Sequence, residues 1–182
     1  MNRSEFEKTV YENKFRVLLS QADIQDRIGE LGKAISEDYR DKQPIFIGVL
    51  NGGFIFMADL IRRVEIDLEI DFIRISSYGD QKKSSGKIRL EKDINAEIKD
   101  RHVIIVEDII DTGLSIQFLR ERFQSYGPAS LAVVTLLYKK EKVRNEINID
   151  YVGFTIPDHF VVGYGLDHKQ ILRNLPAVYV LE

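Results

Sequence analysis

Three carboxylates lie within five positions of one another, directly after a run of apolar residues. The run Val103–Val106 predicts a buried central strand, and Glu107, Asp108 and Asp111 follow it. Carboxylate oxygens accept hydrogen bonds from sugar hydroxyls and bind divalent cations, whereas they repel phosphate. We therefore predict that Glu107 and Asp108 bind a sugar diol or a divalent metal ion.

A short turn follows these carboxylates and leads into a segment with the apolar spacing of a helix. It reads Asp111-Thr112-Gly113-Leu114-Ser115. A strand, a turn and a helix in this order place backbone N–H groups at the carboxyl edge of a sheet, where α/β proteins bind phosphate. We expect these amides to hold the phosphate of a phosphorylated sugar. The alternative is an ordinary turn whose acidic residues solvate the end of a strand.

The composition is that of a single globular domain. The chain has 182 residues, of which 44% are hydrophobic and 30% charged. A net charge of -3 argues against a nucleic-acid partner, and the absence of cysteine excludes disulfides, thiol nucleophiles and Cys-ligated zinc. His102, His159 and His168 are scattered and predict no metal cluster. With no apolar run of membrane-spanning length and no signal-peptide pattern, we expect a cytoplasmic protein with no membrane partner.

The alternation of helices and strands predicts an α/β fold with a mainly parallel sheet flanked by helices. A capping box at Ser20–Asp23 predicts the start of a helix, with further helices at Phe54–Arg63 and from about Leu114. The predicted strands are Lys14–Leu19, Ile45–Leu50, Leu68–Ser76, Val103–Val106, Leu131–Tyr138, Tyr151–Thr155, Phe160–Tyr164 and Val178–Leu181.

Three loops follow predicted strands and should line one crevice, because ligands in such folds bind outside the carboxyl ends of the strands. The first is Asn51-Gly52-Gly53, whose glycines let a backbone approach an anion closely. The second is the turn at residues 111–115, and the third begins at Lys139. This agreement between separate loops is stronger support for a site than any single motif.

The run from Glu107 to Gly113, Glu-Asp-Ile-Ile-Asp-Thr-Gly, resembles the signature of type I phosphoribosyltransferases, and in this form that of their hypoxanthine-guanine branch. The resemblance implies transfer of the 5-phosphoribosyl group from 5-phosphoribosyl-1-pyrophosphate to N9 of hypoxanthine or guanine, giving IMP or GMP and pyrophosphate. It also implies a need for Mg²⁺ and a homodimer or homotetramer. The implied fold has a core at about residues 20–165 and a small hood formed by the chain ends, about 1–19 and 166–182.

The resemblance extends to the residues expected at the pyrophosphate. It makes Asn51-Gly52-Gly53 the pyrophosphate loop, in which one peptide bond is often cis. Many family members have a basic residue at the position of Asn51, and this chain lacks that charge. Glu107 and Asp108 would bind a metal ion and the ribose hydroxyls, and Asp167 would bind a second magnesium ion. Arg173 would bind pyrophosphate oxygens.

The resemblance also assigns the base side of the site. Asp111 would lie near purine N7 and take its proton, Phe160 would stack on the purine, and the Val161 backbone would bond to the ring edge. Lys139 offers only hydrogen-bond donors, so it would select a 6-oxo group over the 6-amino group of adenine.

Ser77-Tyr78 begin a polar stretch that continues to Lys87. The resemblance makes this stretch a lid that excludes water from an oxocarbenium-like transition state. A flexible hairpin tip is the alternative interpretation.

Two other functions compete with this one. The first is an enzyme of the same type that prefers xanthine, since the sequence does not rank hypoxanthine, guanine and xanthine. The second is a nucleotide-sensing regulator on the same fold that binds RNA. The acidic balance, together with intact Asp111, Lys139 and Asp167, argues against the regulator.

Overall fold

A six-stranded sheet lies at the centre of the molecule. The computed structural model describes residues 15–78, 87–143 and 147–181. In chain order the elements are β1 (Phe15–Leu19), α1 (Gln21–Asp38), β2 (Ile45–Leu50), α2 (Phe54–Ile61), β3 (Glu69–Tyr78), β4 (Lys87–Lys92), β5 (His102–Ile110), α3 (Leu114–Gln124), β6 (Ser130–Tyr138), β7 (Tyr151–Thr155), β8 (Val161–Val162) and β9 (Val178–Leu181).

The central sheet is mainly parallel, as predicted. Its strand order is β4-β3-β2-β5-β6-β7. The pairs from β3 to β7 are parallel, and β4 pairs antiparallel with β3. Because parallel strands end at the same edge of a sheet, the loops after β2, β5 and β6 emerge on one side. These are the three loops from which the sequence predicted a site.

Helices pack on both faces of the sheet, and each face has its own apolar cluster. On one face, α1 buries four side chains with the spacing of one side of a helix, Ile24, Ile28, Leu31 and Ile35. Phe46 of β2 packs in that cluster, whereas its neighbour Ile45 packs with α3 on the other face. This alternation follows from the two-residue period of a strand. Within the described ranges, no helix has the length and apolar character needed to cross a membrane.

A second sheet joins the two ends of the described chain. Its strand order is β1-β9-β8, and both pairs are antiparallel. This sheet corresponds to the small hood expected from the chain ends. We expected the carboxyl-terminal part of the hood to begin at about residue 166, but Val161 already pairs with Val180. The hood sheet therefore also includes a strand from before that boundary.

Strand β5 is longer than predicted. We expected it to end at Val106, whereas it continues to Ile110 because its parallel pairing with β6 continues to Ile110 and Tyr138. Glu107 and Asp108 therefore lie within the strand and not after it. In the opposite direction, the strand predicted at Phe160–Tyr164 shrinks to β8. Gly163, Tyr164 and Gly165 have φ angles of 92°, 50° and 99°, and positive φ is incompatible with a strand.

The capping box predicted at the start of α1 is present. The Ser20 hydroxyl accepts a hydrogen bond of 3.2 Å from the Asp23 N–H, and the Asp23 carboxylate accepts one of 3.1 Å from the Ser20 N–H. The Ser20 hydroxyl also donates to the Asp23 carboxylate at 2.6 Å, and this hydrogen bond, together with the one from the Ser20 N–H, lowers the pKa of Asp23. Stability linked to the ionised Asp23 is therefore present above its unfolded pKa of 3.8 and is lost as the pH falls through the lowered folded value.

We predict that Ser20→Ala lowers the free energy of unfolding at pH 7 by about 1 kcal/mol, because the first turn of α1 loses its cap. The difference from wild type should shrink as the pH falls below 3.8, where Asp23 becomes protonated in the unfolded chain. Urea unfolding followed by circular dichroism measures both effects. Ser20→Thr, which keeps the capping hydroxyl, is the control, and a loss as large as that of Ser20→Ala would contradict the prediction.

Candidate active site

Two adjacent carboxylates in β5 are buried. Glu107 and Asp108 are each 7% exposed. Burial raises the pKa of Glu107 well above its usual range, and the neighbouring Asp108 carboxylate adds to this effect. Burial also raises the pKa of Asp108, although the nearby positive charge of Arg173 opposes the rise. Two carboxylates held together in this way attract a cation or hydroxyl donors.

Backbone hydrogen bonds align the ends of β5, β6 and β7 beside these carboxylates. The Lys139 N–H donates to the Ile110 carbonyl at 3.0 Å, and the Ile156 N–H donates to the Tyr138 carbonyl at 2.9 Å. The residues that leave the three strands are therefore neighbours in space. Among them are Asp111 after β5, Lys139 after β6 and Asp158 shortly after β7.

Four charged side chains meet at this point, and we call Asp111, Lys139, Lys142 and Asp158 the charge cluster. The Lys139 ammonium lies 3.1 Å from a carboxylate oxygen of Asp111 and 3.1 Å from one of Asp158. The Lys142 ammonium lies 3.0 Å and 3.2 Å from oxygens of the same two carboxylates. Each lysine therefore contacts both aspartates.

The charge cluster includes a residue that no motif marks. Lys142 lies in the charged run after β6, and the turn formed by its N–H and the Lys139 carbonyl, 3.0 Å apart, brings it to Asp111. Partial burial lowers the pKa of Lys142, but hydrogen bonds to Asp111 and Asp158 outweigh burial and the net shift is upward. Hydrogen bonds from both lysines lower the pKa of Asp158. Sequence reasoning missed Asp158, which no local motif marks.

Asp111 is unusual within the cluster. Its Oδ1 atom is shielded from solvent and has no hydrogen-bond partner of good geometry among the described residues, although the Lys139 ammonium lies 3.1 Å away. Such an oxygen keeps a free acceptor position. It could accept a proton or a hydrogen bond from a bound ligand.

The turn after β5 has the geometry of an anion site. Gly113 has a φ of 83°, and α3 begins at the next residue, so the first N–H groups of α3 have no partner within the helix. A Cβ on Gly113 would lie 2.0 Å from the Ile147 side chain, so glycine is needed here for two reasons. Thr112 and Leu114 are exposed, and Ser115 is partly buried. The arrangement suits a phosphate.

The glycine loop after β2 lies against the carboxylates of β5. The peptide bond between Leu50 and Asn51 is cis, as the resemblance implied. A Cβ on Gly52 would lie 1.8 Å from the Asp108 carboxylate, and a Cβ on Gly165 would lie 2.2 Å from the Gly52 carbonyl. Gly53 is buried and Asn51 is exposed. Only glycines permit this close approach of three segments.

Arg173 and Asp167 form an ion pair next to this loop. The Arg173 guanidinium donates to the Gly165 carbonyl at 2.7 Å and lies 2.7 Å from Asp167 Oδ1. The other Asp167 oxygen accepts the Gln170 N–H at 2.8 Å. The two side chains predicted for the pyrophosphate are thus already oriented by each other and by the backbone.

The remaining predicted residues are less strongly constrained. Phe160 is 49% exposed, and its ring meets that of His168 edge-on, with the ring centroids 5.6 Å apart. Val161 is buried in β8. Ser77 and Tyr78 end β3. The rest of the predicted lid, residues 79–86, lies outside the described residues.

The carboxylates fit a hard divalent cation that arrives with a ligand. Among the described residues, no three histidine, aspartate or glutamate side chains form a group that could hold a metal ion. Glu107 with Asp108, and Asp167 separately, offer one or two carboxylates at a time. Mg²⁺ commonly binds to one or two carboxylates together with phosphate oxygens of a substrate.

Tyr164 anchors the turn that carries Gly165. Its hydroxyl donates to the Asp59 carboxylate of α2, which also accepts a hydrogen bond of 2.7 Å from Gln25. Burial and Asp59 raise the pKa of Tyr164 far above its ordinary value. Since α2 follows the glycine loop directly, this hydrogen bond joins two walls of the site.

Comparison with known proteins gives consistent matches. The model of the phosphoribosyl transferase domain matches residues 18–169. Hypoxanthine-guanine phosphoribosyltransferase of Bacillus subtilis is 44% identical over 167 residues, which are 92% of this chain and 93% of that protein. The Streptococcus pneumoniae (strain R6) protein of the same name is 45% identical with the same coverage.

Solved structures agree with this result. A hypoxanthine phosphoribosyltransferase from Staphylococcus aureus has a TM-score of 0.90 at 41% identity, covering 95% of both chains. A hypoxanthine-guanine phosphoribosyltransferase from Bacillus anthracis, with HEPES in its active site, has a TM-score of 0.87 at 43% identity. That match covers 92% of this chain and 98% of the other.

We predict that Tyr164→Phe lowers the free energy of unfolding by about 1–3 kcal/mol, because the partly buried Asp59 carboxylate loses a donor. Chemical denaturation measures the change. Tyr179→Phe is the matched control, because its hydroxyl has no hydrogen-bond partner among the described residues. Equal losses in the two variants would show that the Tyr164 hydroxyl contributes nothing specific.

Proposed function

Because the chain belongs to the phosphoribosyl transferase family, and within it to the hypoxanthine-guanine branch, we propose a role for each part of the candidate site in the reaction of that branch. The reaction moves the 5-phosphoribosyl group of 5-phosphoribosyl-1-pyrophosphate to N9 of hypoxanthine or guanine and releases pyrophosphate. The product is IMP or GMP, so this is a transferase of purine salvage. The observation that carries the assignment is the contact of buried Lys139 with Asp111 at the start of the phosphate turn.

Two sets of groups hold the phosphoribosyl half of the substrate in this proposal. The amides and hydroxyls of Asp111–Ser115 bind the 5-phosphate, which the unpaired N–H groups at the start of α3 support. Glu107 and Asp108 accept hydrogen bonds from the ribose hydroxyls. Their burial supports this role, because a buried carboxylate gains most from donors that arrive with a ligand.

The pyrophosphate lies between the glycine loop and Arg173. Asn51-Gly52-Gly53 contribute hydrogen bonds without a positive charge, so Arg173 is the cationic side chain of this subsite. Its contacts with Asp167 and Gly165 orient it in advance. Orientation before binding lowers the entropy cost of gripping the leaving group.

Mg²⁺ fits the donor set of the site. Asp167 would hold one ion on the pyrophosphate side, and Glu107 and Asp108 would hold another directly or through the ribose hydroxyls. When bound, the metal ion neutralises charge that develops on the leaving pyrophosphate. The carboxylates of this chain orient the sugar phosphate so that its anomeric carbon faces the purine.

The purine lies between Phe160 and the charge cluster. The exposed ring of Phe160 stacks on the base, and the Val161 backbone bonds to its edge. Lys139 donates to the 6-oxo group. Asp111 takes the proton from N7 as the bond forms at N9, which its unpaired Oδ1 supports. A lid that begins at Ser77-Tyr78 excludes water from the reacting carbon.

A cytoplasmic location and a homo-oligomer, either dimer or tetramer, belong to the same proposal. Both follow from the reaction and from the family resemblance, and both rest on these alone. Size-exclusion chromatography with light scattering distinguishes the dimer from the tetramer.

A spectrophotometric assay with four purines tests the function directly. We expect transfer to hypoxanthine and guanine in the presence of Mg²⁺ and phosphoribosyl pyrophosphate, and none to adenine. A preference for xanthine would instead support the alternative, an enzyme of the same type that prefers xanthine. No transfer to any of the four bases would refute the proposed activity.

We predict that Asp111→Asn lowers the rate of the chemical step by about 10²–10⁴-fold, because general-base help at N7 is lost. Phosphoribosyl pyrophosphate binding should change little, since the turn amides remain. Single-turnover kinetics measures the chemical step, and calorimetry measures binding. Asp100→Asn is the control, because Asp100 is an exposed aspartate before the opposite end of β5. An unchanged single-turnover rate for Asp111→Asn would rule out Asp111 as the base.

Lys139→Met should raise the KM for hypoxanthine and guanine much more than the KM for phosphoribosyl pyrophosphate. The reason is that the 6-oxo group loses its donor, while the phosphate and pyrophosphate contacts remain. Steady-state kinetics with each substrate varied in turn separates the two constants. If both rise equally, Lys139 has only a structural role.

Arg173→Met should raise the KM for phosphoribosyl pyrophosphate clearly, because the pyrophosphate loses its cationic side chain. The KM of Arg173→Lys should lie between those of Arg173→Met and wild type, since lysine keeps the charge but cannot make bidentate hydrogen bonds. Adding Asn51→Lys to Arg173→Met should restore part of the loss. Strictly additive effects of the two substitutions would count against a shared pyrophosphate subsite.

A further inference from the structure

Two members of the charge cluster have no part in the mechanism described above. Among the described contacts, Lys142 and Asp158 touch neither the glycine loop nor the amides of the phosphate turn, yet each touches one of the two residues proposed to act on the purine. Lys142 lies 3.0 Å from Asp111, and Asp158 lies 3.1 Å from Lys139. These contacts affect how Asp111 and Lys139 are held.

Lys139 is largely buried. Its side chain is 9% exposed, and a largely buried ammonium group needs anionic partners to offset its lost hydration. If Asp111 were its only partner, the two groups would neutralise each other. A base and a hydrogen-bond donor locked together in this way could serve the purine only after their contact breaks.

Asp158 and Lys142 remove this difficulty. Asp158, which lies two residues before Phe160 in the chain, pairs with Lys139, and Lys142 pairs with Asp111. When Lys139 turns its ammonium to a 6-oxo group, Asp111 still has a cationic partner. When Asp111 accepts a proton, Lys139 still has an anionic partner in Asp158.

We propose that Asp158 and Lys142 are positioning residues for purine use: Asp158 holds the Lys139 ammonium for the 6-oxo group, and Lys142 holds the Asp111 carboxylate for N7. This inference rests on the proposed function and deepens it. It places purine specificity partly in side chains that do not touch the purine.

The backbone supports this assignment. The hydrogen bond from the Lys142 N–H to the Lys139 carbonyl fixes both lysines on one turn, and the bond from Ile156 to Tyr138 fixes the segment that carries Asp158. Asp158 and the stacking residue Phe160 therefore belong to one short segment. A purine that stacks on Phe160 would therefore lie near Asp158, the residue proposed to orient its hydrogen-bond donor Lys139.

The two substitutions should have different signatures. Asp158→Asn should raise the KM for hypoxanthine and guanine about tenfold and change that for phosphoribosyl pyrophosphate by less than about twofold, since one charge-assisted contact is lost. Lys142→Met should lower the single-turnover rate about tenfold with a smaller effect on purine KM, because Asp111 is drawn onto Lys139. Lys142→Arg should restore most of that rate.

Two neighbours on the same turn provide matched controls. Lys140→Met and Glu141→Gln remove exposed charges of the same sign as Lys142 and Asp158 and should leave every constant near wild type. The double variant of Asp158 and Lys142 should depart from additivity, because both act through the contact of Lys139 with Asp111. Thermal unfolding of each variant reports its folding.

The outcomes separate the inference from the function on which it rests. If wild type transfers to no purine, the proposed function fails. If wild type is active but both variants match their controls, the positioning roles are wrong and the function stands. Equal changes in both substrate KM values together with a lowered Tm would show a structural role only, and this would also overturn the inference.

Discussion

The shared end point of β2, β5 and β6 is the constraint on which the site depends. In a parallel sheet the register of neighbouring strands decides which residues emerge together, and here backbone hydrogen bonds continue that register past the strand ends. The bonds from Lys139 to Ile110 and from Ile156 to Tyr138 extend it by one step each. These hydrogen bonds hold residues that are far apart in the chain next to one another.

Burial of charge gives this meeting point its chemistry. Glu107, Asp108 and Lys139 are each 7% exposed, so water does little to stabilise their charges. The cation is satisfied inside the protein by two aspartates. Within the described part of the chain, no lysine pairs with the adjacent carboxylates of β5. In the proposed reaction, these carboxylates bind the sugar hydroxyls or a metal ion, whereas the charges on the purine side are already paired within the protein.

Close backbone approach is the second requirement. Gly52 lies against the Asp108 carboxylate, and Gly165 lies against the Gly52 carbonyl, at separations that no side chain would allow. The hydrogen bond from Tyr164 to Asp59 fastens the Gly165 turn to the helix that follows the loop. Two walls from distant parts of the chain are therefore fixed before any ligand binds. In the proposed reaction, this fixed spacing is what grips the leaving pyrophosphate.

The sequence alone determined the features that depend on neighbouring residues. The capping box at Ser20, the strands Ile45–Leu50 and Tyr151–Thr155, the turn at residues 111–115 and the family all follow from local spacing and motif, and the structure or the comparisons confirm them. Tertiary structure decided the rest. Pairing with β6 set the length of β5, and positive φ angles shortened β8. Lys142 and Asp158 joined Asp111 because pairing across β5, β6 and β7 brings together residues that are 16 or more positions apart, and no local pattern records such a pairing.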